Sequence, residues 1–298
     1  MGTIGFKGGL YCYLITPFKE NGDLDLQTLE SLIERVIENG ADGVTCVAST
    51  TEGVYLTEAE RFSVVEKTCE IARGRVFVDV GIGALSTRQS LSYAEHAQKH
   101  GASTVILEMQ TYLPGIRFSD IHQHYRAIAA SISIPVRLYN IPHTTGVDML
   151  PTQIAEMADI SGIDSVKDAT GKAERVKQIK DICGDRFAIF AGRHHNAYDS
   201  YLHGAIGWEG AFHPVFGEDM VTLHRALKNR DFKTGNAIYK KMDPLFTFFR
   251  FYGVPQAIKA ISSWTDLKLG NPRPPLRPLS KKEVHTLQLI VRSLGYIQ

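Results

Sequence analysis

Lys167 closes a short apolar run, residues 162–166, and opens the stretch Lys167-Asp168-Ala169-Thr170-Gly171. A charged ammonium at the end of a buried strand is costly unless it is paired or deprotonated. Burial favours the neutral amine, and the neutral amine is the species that attacks a ketone. At its ordinary pKa only about one lysine in two thousand is neutral at pH 7, so desolvation has a definite chemical use here. The alternative is a lysine that curls back onto Asp168. Tyr139 ends a second apolar run, PVRLYN. A phenol near an amine can shuttle protons during imine formation, and the alternative is a core tyrosine with a satisfied hydroxyl. Ser49 and Thr50, in Ala48-Ser49-Thr50-Thr51-Glu52-Gly53, offer hydroxyls and backbone amides in a tight turn. Such a turn can grip a carboxylate, or it is simply a turn.

The elements around these residues follow one pattern. Short runs rich in Val and Ile begin near Leu10, Gly43, Val76, Thr104, Pro135, Gly162, Phe187 and Gly207. They do not alternate cleanly, as expected of parallel strands buried on both faces. Amphipathic segments lie between them. Leu26, Leu29, Leu32, Ile33, Val36 and Ile37 make one apolar stripe, stopped at Gly40. Thr57 and Glu60 form a capping box for the next helix, and Ser86 caps a third that ends before Gly101. Eight strand–helix units predict a (β/α)8 TIM barrel over residues 1–225. An open doubly wound sheet is the alternative, disfavoured because no GxGxxG opens the chain. Beyond about residue 225 the strand signal stops. Residues 226–298 predict a C-terminal helical extension packed on the barrel, interrupted by a proline-rich connector from Asn271. His122 and His124 are expected on the solvated face of a helix. The cluster from Phe246 to Phe251 has helical spacing suited to packing or a subunit interface.

Composition excludes more than it identifies. The chain has 298 residues, 44% hydrophobic and 22% charged, with net charge +1. That balance carries no signal for nucleic acid or an anionic membrane. Four cysteines form no CxxC pair, and Cys12 and Cys46 lie in strand-like runs where a buried thiol is the default. The N-terminus is a poor signal peptide, and Phe6 stands where a myristoylation site wants Ser or Thr. No apolar stretch reaches the ~18 residues of a membrane span. These features predict a cytoplasmic protein. No metal-ligand spacing occurs, and neither metal nor cofactor is expected.

In barrels of this kind reactive groups stand at the C-terminal ends of strands, which is where Ser49, Tyr139 and Lys167 fall. The motifs ITPF at Ile15, ASTTEG at Ala48 with LTEAER after it, YNIP at Tyr139, VKDATG at Val166, GAIG at Gly204 and RPPLRPLS late in the chain span nearly its whole length. In that order they resemble the dihydrodipicolinate synthase / N-acetylneuraminate lyase family of class I aldolases. The resemblance implies that Lys167 forms a Schiff base with pyruvate or a related 2-keto acid. It implies Tyr139 as proton shuttle, Ser49 as its relay, and Thr50 as a carboxylate-binding residue. It also implies a homotetramer in which a tyrosine after the fourth strand, matched here by Tyr112, reaches a neighbour's site.

Departures from the family pattern bear on the second substrate. Ala48 and Thr51 replace glycines, and Thr51 is expected to tighten the carboxylate turn. Thr144 stands where the synthases carry an arginine for the aldehyde's carboxylate. Gly192 is followed by Arg193-His194-His195 rather than an acidic pair, which disfavours sialic acid. Glu209 replaces an apolar residue and is expected at the barrel mouth, with His194 nearby or in a pair with Arg193. Together Thr144 and Glu209 predict a lyase or aldolase whose second substrate is not anionic aspartate semialdehyde. The competing readings are the synthase proper, a 2-keto-3-deoxy sugar acid dehydratase, and a catalytically idle keto-acid-binding barrel.

Overall fold

The computed structural model describes residues 8–298, so the N-terminal reading that includes Phe6 lies outside the described residues. Eight parallel strands close into a barrel in chain order: β1 (Leu10–Tyr13), β2 (Gly43–Cys46), β3 (Phe77–Gly81), β4 (Thr104–Glu108), β5 (Val136–Asn140), β6 (Ile163–Asp168), β7 (Ala188–Ala191) and β8 (Gly207–Gly210). Each coincides with the apolar run that predicted it, β3 and β6 extending one residue beyond theirs. Nearly every strand residue is buried, because helices cover one face and barrel contents the other. The fold is the (β/α)8 barrel, with further helices after the last strand.

The helices are α1 (Leu26–Glu38), α2 (Glu58–Ala72), α3 (Thr87–His100), α4 (Phe118–Ser131), α5 (Pro142–Thr145), α6 (Pro151–Met157), α7 (Glu174–Cys183) and α8 (Ala197–Leu202). After β8 come α9 (Gly217–Lys228), α10 (Phe232–Tyr252), α11 (Val254–Ser262) and α12 (Lys281–Ser293). Local signals explain their limits. Leu29, Leu32, Ile33 and Val36 are the buried stripe of α1. Thr57 and Glu60 satisfy each other's backbone amides at the start of α2. Ser86 caps α3, and Gly101 ends it in a left-handed conformation.

Two compact units divide the contacts. One comprises residues 79–209 with 8–9, and the other comprises 10–78 with 210–298. In the second, α9 packs on α10, and α10 and α11 both pack on α12. Phe246, Phe248 and Phe249 are buried there, while Phe251 is exposed. In the first, His124 departs from expectation. It is buried, with Nδ1 2.9 Å from the Thr87 hydroxyl, because α4 turns that face toward α3. All four cysteines are buried free thiols. Among the described residues no helix is long and apolar enough to cross a membrane.

Candidate active site

Within residues 79–209 the strands bring Tyr139 and Lys167 side by side. Tyr139 on β5 is in register with Lys167 on β6. The Lys167 Nζ lies 4.2 Å from the centre of the Tyr139 ring. Both residues are about 2% exposed. Burial holds the Lys167 amine well below the ordinary lysine range; Asp79 and Glu108 oppose that shift, whereas Arg137 and Arg193 reinforce it. Asp168, the alternative partner, turns the other way because successive strand residues face opposite sides. Its carboxylate accepts from the Thr170 hydroxyl at 2.5 Å and from the Asn140 amide at 3.3 Å.

Glu209 is not at the mouth. It has no exposed surface and forms an ion pair with Arg137, and its other oxygen stands 4.0 Å from Lys167 Nζ. Arg137 precedes Tyr139 by two residues, so both side chains lie on one face of β5. Its guanidinium also donates to Asp79 Oδ2 at 3.2 Å and to the Ser165 hydroxyl at 3.3 Å, and covers the Phe190 ring at 4.1 Å. Contacts from β5 to both β3 and β8, which do not neighbour it, run through the barrel interior. A buried cluster of Asp79, Arg137 and Glu209 therefore lies beside the amine. The sequence reading missed Asp79 and Arg137. Their signal was present: a charge inside each of two apolar strand runs, VFVDV and VRLYN.

The remaining expected residues of this unit lie nearer the surface. Thr144 is exposed in α5, its amide donating to the Ile141 carbonyl at 3.0 Å. His194 is half-buried and packs edge-on against Trp208, ring centres 5.6 Å apart. Arg193 donates through Nε to the Ala169 carbonyl at 3.2 Å, just past the end of β6. His143 titrates at about 4, pushed down by burial and then by Arg193, His195 and Lys167. Arg193 therefore brings a guanidinium close to His143 and His195, and His143 is the member of this group that the sequence reading did not single out. Tyr112 is 88% exposed beyond β4.

The turn after β2 belongs to the other unit. Ser49 and Thr50 are half-buried. Thr51 is fully buried, and its hydroxyl donates to the Ala48 carbonyl at 2.9 Å, so it braces the turn instead of facing a ligand. Val47 (φ 48°) and Glu52 (φ 64°) are left-handed, a strained state for non-glycine residues. At Gly53 a Cβ would stand 2.3 Å from the Val47 carbonyl oxygen, so no side chain fits. Glu52 anchors the turn: it has no exposed surface, pairs with Lys259 at 2.7 Å, and accepts from the Arg273 amide at 2.8 Å.

The chain is similar to known proteins over almost its whole length. The family model described as the dihydrodipicolinate synthetase family matches residues 7–294. A 4-hydroxy-tetrahydrodipicolinate synthase of Syntrophus aciditrophicus is 32% identical over 98% of this chain and 99% of its own. The solved 4-hydroxy-tetrahydrodipicolinate synthase of Methylacidiphilum fumariolicum superposes with a TM-score of 0.92 at 28% identity, covering 97% of this chain and 96% of that one. A structure described as the first monomeric dihydrodipicolinate synthase variant superposes with a TM-score of 0.91 at 27% identity, over 98% of both chains. With an amine-bearing strand end beside a phenol and a family match across almost its whole length, the chain belongs to the dihydrodipicolinate synthetase family of class I pyruvate-dependent lyases and aldolases.

Proposed function

We propose that Lys167 forms an imine with the ketone of pyruvate or a related 2-keto acid, and that the enzyme makes or breaks a carbon–carbon bond on that imine. The observation that carries this reading is the buried Lys167 amine, depressed by desolvation and held 4.2 Å from the Tyr139 ring. The neutral amine adds to the carbonyl carbon and water leaves. Tyr139 moves the protons, Ser49 relays them, and Thr50 holds the keto-acid carboxylate. Tyr112, exposed in one chain, reaches a second subunit of a homotetramer.

For the second substrate, Thr144 argues against dedicated use of aspartate semialdehyde, because a threonine cannot make the paired hydrogen bonds an arginine makes to a carboxylate. Glu209 no longer supports that argument, since it is locked to Arg137 inside the barrel. A second reading, the synthase itself, is favoured by Arg193, a guanidinium anchored at the Ala169 carbonyl just past the end of β6, where a carboxylate would find a bidentate partner. One assay series separates them. Pyruvate with borohydride should add the reduced adduct mass at Lys167. Consumption of pyruvate is then followed with aspartate semialdehyde and with neutral aldehydes. Preference for neutral aldehydes, with Thr144→Arg raising use of the semialdehyde, supports the first reading. Efficient wild-type condensation with the semialdehyde, lost in Arg193→Ala, supports the second. No adduct at Lys167 removes both and leaves the idle binding barrel.

A further inference from the structure

The reaction on Lys167 needs a positive charge that the barrel must tolerate. When the amine adds to a ketone and water departs, the nitrogen that remains is an effective electron sink only while it keeps its proton and carries a full charge. Tyr139, left as phenolate once it has protonated the departing hydroxyl, takes a proton from the neighbouring methyl; the electron pair moves toward that nitrogen and gives a neutral enamine. In a buried site the charged imine is costly unless an opposite charge is fixed beside it.

The structure supplies that charge from an unexpected strand. Glu209 on β8 stands 4.0 Å from the Lys167 nitrogen. It cannot swing away, because Arg137 holds it and Arg137 is held in turn by Asp79 and Ser165. All three charged residues of the cluster have no exposed surface. With both carboxylates ionised, these three residues sum to one negative charge; Asp164 on β6 also acts on Asp79 and Arg137, and burial pushes the carboxyl groups of both aspartates up. We infer that Glu209, locked by Arg137 and Asp79, is the counter-ion of the protonated imine, a positioning residue that keeps the electron sink charged. The inference rests on the Schiff-base reading of Lys167. Other groups acting on Lys167 are Glu108 from β4, Tyr139 from β5, Arg193 after β7 and His143 in α5. Arg137 and Arg193 oppose a positive charge there, which makes the nearby carboxylate more necessary.

The test uses pyruvate alone. Capture at Lys167 is measured by borohydride reduction and mass, and electron-sink function by deuterium exchange into the pyruvate methyl group, across pH. A nearby carboxylate raises the pKa of the protonated imine, so its removal lets the proton escape at lower pH. Glu209→Gln should keep capture within a few-fold, while the alkaline limb of exchange moves about one to three pH units lower. Glu209→Asp should restore the limb in part, which a purely structural role does not predict. If Glu209→Gln does not fold, Asp79→Asn carries the test, with a shift in the same direction. An unmoved alkaline limb in the folded variant overturns the inference, as does a larger shift in Glu108→Gln than in Glu209→Gln. Absence of wild-type capture is a different failure, that of the Schiff-base reading itself.

Discussion

Two lysines of this chain are almost equally buried, Lys167 at 2% and Lys259 at 3% exposure, yet they are held in opposite ways. Lys259 is closely bonded. Its nitrogen lies 2.7 Å from Glu52, donates to the Asn271 carbonyl at 3.0 Å, and sits 4.1 Å from the centre of the Phe18 ring. Burial still lowers its pKa to about 8, with Glu52 opposing the shift. Lys167 faces its carboxylate at 4.0 Å and a phenol ring at 4.2 Å. A carboxylate at hydrogen-bond length holds an ammonium in place, whereas one 4.0 Å away acts on it mainly through its field. Lys259 anchors the strained turn that carries Ser49 and Thr50, and Lys167 is the nucleophile we propose. Burial by itself therefore does not mark a reactive lysine.

Replacing the two lysines gives the largest contrast. Lys167→Ala should abolish the pyruvate-dependent mass gain while melting like the wild type. Lys259→Met should still be captured at Lys167 in whatever fraction is folded. It should lose about 3–5 kcal/mol of stability, the usual result of stranding one partner of a buried ion pair. Denaturant titration and mass measurement on both variants decide the matter, and capture at Lys259 in the Lys167 variant would reverse the assignment.

The next effect is in rate. Tyr139→Phe should fold normally and turn over about 10²–10⁴ times more slowly, the size of a lost acid–base contribution. Turnover close to wild type would leave Tyr139 as a packing residue above the amine.

The smallest effect is the pH response of the two amines. Capture of pyruvate by Lys167 should reach half its maximal rate well below the 10.5 of an ordinary lysine, because the folded site disfavours the ammonium. For Lys259 the folded pKa of about 8 lies below the unfolded 10.5, so the unfolded chain binds more protons between those values. Stability should therefore rise with pH across that window relative to Lys259→Met, where the group is absent. Thermal melts at several pH values check the sign. A gap that narrows as pH rises would mean that the Lys259 pair is stronger than its burial.

Much of the architecture was legible locally. Strand runs, the stripe of α1, the box at Thr57 and the cap at Ser86 all act over a few residues, and each formed where its own signal placed it. Lys167 and Tyr139 were legible because each ends an apolar strand, and strand ends are where a parallel barrel presents side chains. Chain position also showed that a carboxylate, Glu209, occupied β8, but not what it met, and the charges of β3 and β5 were passed over. Asp79, Arg137 and Glu209 are separated by 58 and 72 residues, and no local pattern pairs them. Likewise Glu52 finds Lys259 across more than 200 residues. His124 was read as solvated because periodicity assigns a helix face without saying which neighbour covers it. The chain by itself determines which segments become strand or helix, through periodicity, caps and turn residues that need no distant partner. Tertiary structure alone decides which charges share the barrel interior, since closing eight strands into a cylinder makes neighbours of side chains that the sequence keeps far apart.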